Sequence, residues 1–159
     1  MLDKRNFYIN GKWVSPSKPN NFEVIDPSTE EPFAIISLGS IEDTDKAISA
    51  AKNALETWRE SSKEKRLSLL EKFDQIYNRR WDEMVKAQST EMGAPLDYAS
   101  ETHTKMGADI SKNTIKILKD FNFEHQFDSK SNNYIRYEPI GVCGLITPWN
   151  FPMNQIVLK

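Results

Sequence analysis

The chain has 159 residues, 38% of them hydrophobic and 28% charged, with 21 Lys and Arg against 23 Asp and Glu, a net charge of −2. That apolar content, with 4 Trp, 5 Tyr and 8 Phe, excludes wholesale disorder. The near-neutral balance argues against nucleic acid or an anionic membrane as partner, and the single Cys143 excludes an internal disulfide framework.

The length suits one domain or part of a larger one. The opening residues, MLDKRNFYING, contain no apolar signal region, and no stretch approaches the ~18 apolar residues of a membrane helix. With one thiol and no such segment, the expectation is a cytoplasmic protein.

Phe7-Tyr8-Ile9 and Trp13-Val14 flank Asn10-Gly11. Asn-Gly between β-formers predicts a hairpin, because both residues tolerate positive φ. A second strand pair follows, Phe22 to Ile25 and Phe33 to Leu38, with Asp26-Pro27-Ser28-Thr29 turning the chain between them.

The period then changes. Ser40-Ile41-Glu42-Asp43 predicts a capped helix start, and Ile48, Ala51, Leu55 and Trp58 recur at helical spacing. Ser61 and Glu64 repeat the capping pattern ahead of Leu69, Leu70, Phe73, Ile76 and Tyr77. Trp81, Met84, Val85 and Gln88 mark a third helix, which Gly93 can close, and Pro95 can open the next. Tyr98, Thr102, Met106, Ile110, Ile117, Leu118 and Phe121 give that fourth helix an apolar face, read as core.

Residues 122–131 are polar and turn-like, and Asn132 to Tyr137 alternates as a strand ended by Pro139. Ile140-Gly141-Val142-Cys143-Gly144-Leu145-Ile146 is a nearly continuous apolar run. Such a run suits a parallel strand buried on both faces, whose sheet needs more strands than this sequence supplies.

The run leads into Thr147-Pro148-Trp149-Asn150-Phe151-Pro152. In open α/β sheets, ligands bind beyond the carboxyl ends of strands. Pro148 and Pro152 restrict themselves and the residues before them, so the loop is stiff. Asn150 sits between them with an amide that donates two hydrogen bonds. A stiffly placed donor suits a developing oxyanion. It equally suits a turn whose backbone needs a side-chain partner, and the residues alone leave both readings open.

Read together, EPIGVCGLITPWNFPMNQIVLK, with FYINGKWV, IDPSTEE, the helix from Ala47 to Trp58 and TEMGAP in the same order, resembles the N-terminal region of the aldehyde dehydrogenase superfamily. The resemblance covers nearly the whole chain. It implies an α/β fold, the N-terminal part of the aldehyde dehydrogenase fold, with β-hairpins, a helical segment and the start of a parallel Rossmann-like sheet. Residues 1–122 would form hairpins and helices of the cofactor-binding domain. Residues 123–139 would form an arm like the family's oligomerisation segment. Residues 140–159 would supply the first buried strand and the active-site loop.

The resemblance further implies an oxidoreductase that converts an aldehyde to a carboxylic acid with NAD or NADP. A cysteine thiolate attacks the carbonyl, and a glutamate base later helps water release the acyl group. Asn150 matches the donor to the thiohemiacetal oxygen. Ile146, Thr147, Pro148, Trp149 and Asn150 match the segment that lines the cofactor site. Phe151 and Met106 fall at the substrate pocket, and Lys159 at a lysine assigned to proton relay. The complete protein is expected to be a homo-oligomer.

The nucleophile and the base of that family are not among these residues. Cys143 lies among Val142, Gly144 and Leu145 with no cationic neighbour in sequence, and is read as a small structural thiol. His103 and His125 have no second ligand at metal spacing, so no metal site is expected, and both are read as surface or helix-face residues. The 159-residue chain alone is therefore expected to be inactive, an N-terminal portion cut just after the PWNFP motif. The alternative is a non-catalytic truncated module that pairs with an intact subunit or a complementary fragment.

Overall fold

A computed structural model describes residues 1–159. Asn10 and Gly11 both take positive φ, 52° and 74°, and join β2 (Phe7–Ile9) to β3 (Lys12–Val14). This is the primed turn that Asn-Gly favours. Tyr8 faces Trp13 across the pair, with ring centroids 5.2 Å apart.

The second hairpin joins β4 (Asn21–Asp26) to β5 (Glu31–Ser37) in antiparallel register. Asp26 builds the turn: its carboxylate accepts from the Ser28 amide and hydroxyl at 2.8 and 2.6 Å. β1 (Leu2–Lys4) adds to the far edge of β5, in parallel. Nothing in the sequence anticipates this strand, since three mostly polar residues carry no period.

Helix α1 (Ile41–Trp58) opens on a complete capping box, in which Asp43 accepts from the Ser40 amide while Ser40 Oγ accepts from the Asp43 amide. Asp43 also accepts from the Ser17 amide at 2.8 Å, which ties the helix start to the segment after β3. Helix α2 (Lys63–Arg79) is capped by Ser62, one residue beyond the expected Ser61. Ser61 instead donates to the Trp58 carbonyl at 2.6 Å and turns the chain between the helices. Helix α3 (Trp81–Met92) ends on Gly93 in the left-handed conformation, φ 71°.

Pro95 precedes a helix that runs unbroken from Leu96 to Asp120. It comprises α4 (Leu96–Tyr98), a π-helical turn (Ala99–Thr104) and α5 (Lys105–Asp120). The π turn shifts the helical phase, so the buried face differs from the expected one. Ala99, His103, Thr104, Gly107, Ala108 and Ser111 point inward, while Tyr98, Met106 and Ile117 are exposed. His103 is 3% exposed, so of its surface or helix-face readings only the helix face, turned inward, holds. The core lies here, between α2, α3 and this helix. Tyr77 Oη donates to the Thr104 carbonyl at 2.8 Å, and Gln88 Nε2 donates to Thr104 Oγ1 at 2.8 Å.

The arm is a two-stranded hairpin, β6 (Glu124–Gln126) with β7 (Tyr134–Arg136), where a single strand at 132–137 was expected. Glu124 opposes Arg136 and pairs with it at 2.6 Å. Lys63 Nζ donates to the Lys119 carbonyl at 3.0 Å, and Arg66 stacks 5.2 Å over the Phe123 ring, which anchors the root of the arm to α2.

Residues 140–146 form no strand within residues 1–159, where the sheet that the apolar run calls for is incomplete. Ile140 and Ile146 are 93% and 89% exposed. A parallel strand gains its burial from neighbours on both sides, and these residues meet none here. Helix α6 (Pro152–Leu158) then packs against α5.

Candidate active site

The loop from Ile146 to Phe151 reaches α6 with Pro152 at its first helical positions, where a missing N–H costs no bond. No backbone–backbone hydrogen bond within residues 1–159 engages residues 140–150. Trp149 is 78% exposed, and Thr147, Pro148 and Asn150 are exposed beside it. The Asn150 amide makes no hydrogen bond within the chain.

What fixes the loop is its far end. Phe151 is half-buried and lies against the His103 ring, centroids 4.6 Å apart. The His103 ring also meets Tyr98 edge to face, centroids 4.9 Å apart. One turn further along, Gly107 faces the Met153 carbonyl, which would lie 3.3 Å from a Cβ at that position. Burial pushes the His103 imidazole below its ordinary value, and its Nδ1 has no hydrogen-bond partner. The ring is therefore held by packing.

The remaining residues of interest lie at the margins. Met106 is 38% exposed on α5, beside Gly107. Lys159 extends past α6 and donates to Gln155 Oε1 at 3.2 Å. Cys143 is free and exposed within residues 1–159, its Sγ 3.9 Å from the Gly141 carbonyl oxygen. No three His, Cys, Asp or Glu side chains gather where they could share a metal ion. No helix is long and apolar enough to cross a membrane.

Sequence reasoning missed His103 and the Tyr77–Thr104–Gln88 bonds. A signal was present in Gly107, since an isolated glycine inside a helical pattern often marks a close approach.

The sequence profile of the Aldehyde dehydrogenase family matches residues 13–159. The chain belongs to that family. It is 43% identical, over its whole length, to a 3-succinoylsemialdehyde-pyridine dehydrogenase of Pseudomonas sp, of which it covers 33%. Among solved structures it is similar to an aldehyde dehydrogenase from Bartonella henselae, with 51% identity and a TM-score of 0.97 over 100% of this chain and 34% of that one. It is also similar to an aldehyde dehydrogenase C mutant from Pseudomonas syringae, solved with NAD+ and octanal, with 35% identity and a TM-score of 0.92 over 96% of this chain and 31% of that one. This aldehyde dehydrogenase chain thus spans about a third of the length of the relatives it matches, as their N-terminal portion. Its mixed helix and strand architecture is the α/β fold of the family.

Proposed function

We propose that the protein carrying this chain oxidises an aldehyde to a carboxylic acid with NAD or NADP, through a thiohemiacetal. Asn150 donates its amide to the oxygen that becomes negative when a thiolate attacks the carbonyl. The observation that carries this is the Asn150 amide itself. It is exposed, unbonded within the chain and held next to the packed Phe151, in a chain of this family. A donor that needs no reorganisation is worth several kcal/mol, roughly 3–4, in the transition state.

A nicotinamide group bound there would supply the oxidant, taking up the hydride that the thiohemiacetal carbon gives up as it becomes a thioester. The residues present fit such a group, because Ile146, Thr147, Pro148 and Trp149 offer unpaired backbone groups on an exposed face. The relative solved with NAD+ and octanal supports both the cofactor class and the aldehyde. Phe151 and Met106 would border the substrate, and Lys159 would serve proton transfer.

The nucleophile and the base are not among residues 1–159 under this reading. Cys143 has no basic partner, so this chain alone does not turn over. In the complete protein the β6–β7 arm would pair subunits of a homo-oligomer. Phe127 and Tyr134 support that, 65% and 63% exposed on the arm. A cytoplasmic protein with no nucleic-acid or membrane partner fits the charge and the single thiol.

The bare backbone of 140–150 also favours a second reading, a non-catalytic module that pairs with an intact subunit or a complementary fragment. One experiment separates the two. The native protein, with its intact mass measured, is mixed with a panel of aldehydes and NAD+ or NADP+. Aldehyde-dependent cofactor reduction by a protein much longer than this chain supports the enzyme. No reduction, with a mass matching this chain, supports the module.

A further inference from the structure

We propose that His103, carried on the π-helical turn, is the positioning residue that seats the loop of Asn150 through its ring contact with Phe151. Its meaning for catalysis rests on Asn150 as the oxyanion donor. The seating itself does not.

Three observations converge. First, the π turn is what lets Tyr98 brace His103. Residues five apart lie about 140° from each other around an α-helix at 3.6 residues per turn. The i→i+5 bonding of a π turn instead brings them toward the same side of the helix. Tyr98 and His103 are five apart, and their rings meet edge to face at 4.9 Å. Turns of this kind occur frequently at functional sites. Second, the turn is pinned from behind. Thr104, 0% exposed, receives Tyr77 at its carbonyl and Gln88 at its hydroxyl. The Trp81 indole donates to Ser100 Oγ at 3.0 Å. His103 therefore projects from a rigid base. Third, the end of the loop and the helix after it both meet this region, with Phe151 on His103 and the Met153 carbonyl of α6 against Gly107 of α5. Asn150, upstream of both contacts, has no bond of its own, so its placement follows from theirs.

His103 holds the loop as a ring. Its Nδ1 is buried without a partner, so no hydrogen bond accounts for its presence. A phenyl ring should serve equally well.

The test is nuclear magnetic resonance of the native, full-length protein. The readouts are the backbone order of residues 149–153, from heteronuclear relaxation, and the Asn150 side-chain amide shift. The Trp81 indole N–H reports separately on the π turn. His103→Ala should release the loop to the order of a flexible chain and move the Asn150 amide signal, with the Trp81 signal unchanged. His103→Phe should restore the wild-type loop. An ordered loop in His103→Ala overturns the proposal, as does a loose loop in His103→Phe with the Trp81 signal intact. If His103→Ala also loses the Trp81 signal, Phe151→Ala decides, because it leaves the helix intact. A released loop supports the seat and an ordered one overturns it. None of these readouts needs aldehyde oxidation, so an inactive protein would defeat the proposed function without touching this result.

Discussion

The Tyr77 hydroxyl occupies the space that a Cβ on Gly107 would need, and the same hydroxyl donates to the Thr104 carbonyl at 2.8 Å. One close approach therefore joins α2, the π turn and the start of α5. It also leaves the Met153 carbonyl room to lie against the helix.

Gly107→Ala should break this junction. Either Tyr77 leaves its bond or α5 moves off α2. The expected cost is about 1–3 kcal/mol, the scale of overpacking a filled site. Thermal unfolding checks it, with Gly144→Ala as control, because a Cβ there meets nothing within 4 Å. Equal midpoints for the two variants would refute the close approach.

Gly93 makes a second demand of a different kind. It closes α3 at φ 71°, and a Cβ would also meet Pro27 Cγ at 2.9 Å. Gly93→Ala should cost roughly 1–2 kcal/mol from the left-handed conformation alone. A midpoint unchanged by this substitution would contradict the cap.

His103 sets one limb of the pH dependence. Burial lowers its folded value below the ordinary one, so the folded state binds fewer protons than the unfolded chain. Its contribution to stability is intact above about pH 6.5, the unfolded value, and falls as pH is lowered from there toward the folded value. Between about pH 7.5 and 5.5 the wild-type midpoint should drop more than that of His103→Phe. Parallel curves would show that the imidazole is not the group responsible.

Asp43 sets a second, more acidic limb. The Ser40 amide first, then the Ser17 amide and the Ser40 hydroxyl, hold its carboxyl well below the usual range. A depressed carboxyl stabilises above its unfolded value, about 4, and that contribution is lost as pH falls toward the folded value. Asp43→Asn should weaken α1 at neutral pH and flatten the acid limb. Circular dichroism across the acid range checks both. An unchanged acid limb would mean that other carboxylates govern it.

Local chemistry made much of this fold legible in the sequence. Asn10-Gly11, the Ser40–Asp43 box and Gly93 each specify a backbone conformation within a few residues, and each forms as expected. What the sequence hid depends on partners far away or on phase. β1 acquires its order only by adding to β5. β6 reads as polar coil because both of its faces are wet. The apolar stripe from Tyr98 to Phe121 assumes 3.6 residues per turn throughout, and the π turn breaks that assumption at Ala99. That is why His103 turned inward unseen. The run at 140–146 has the composition of a buried strand, but burial belongs to its neighbours, not to itself. At the site, Asn150 and Phe151 stand out through the prolines around them. The ring that seats Phe151 lies 48 positions earlier and carries no motif.

The most direct test is the turnover of Asn150→Ala in the native, full-length protein, with an aldehyde and the cofactor that the wild type reduces. A donor amide to the thiohemiacetal oxygen predicts a kcat lower by roughly 10²-fold or more, with the fold intact by circular dichroism. An unchanged kcat would contradict that role, and the stiff loop would then serve only to carry the chain from the apolar run into α6.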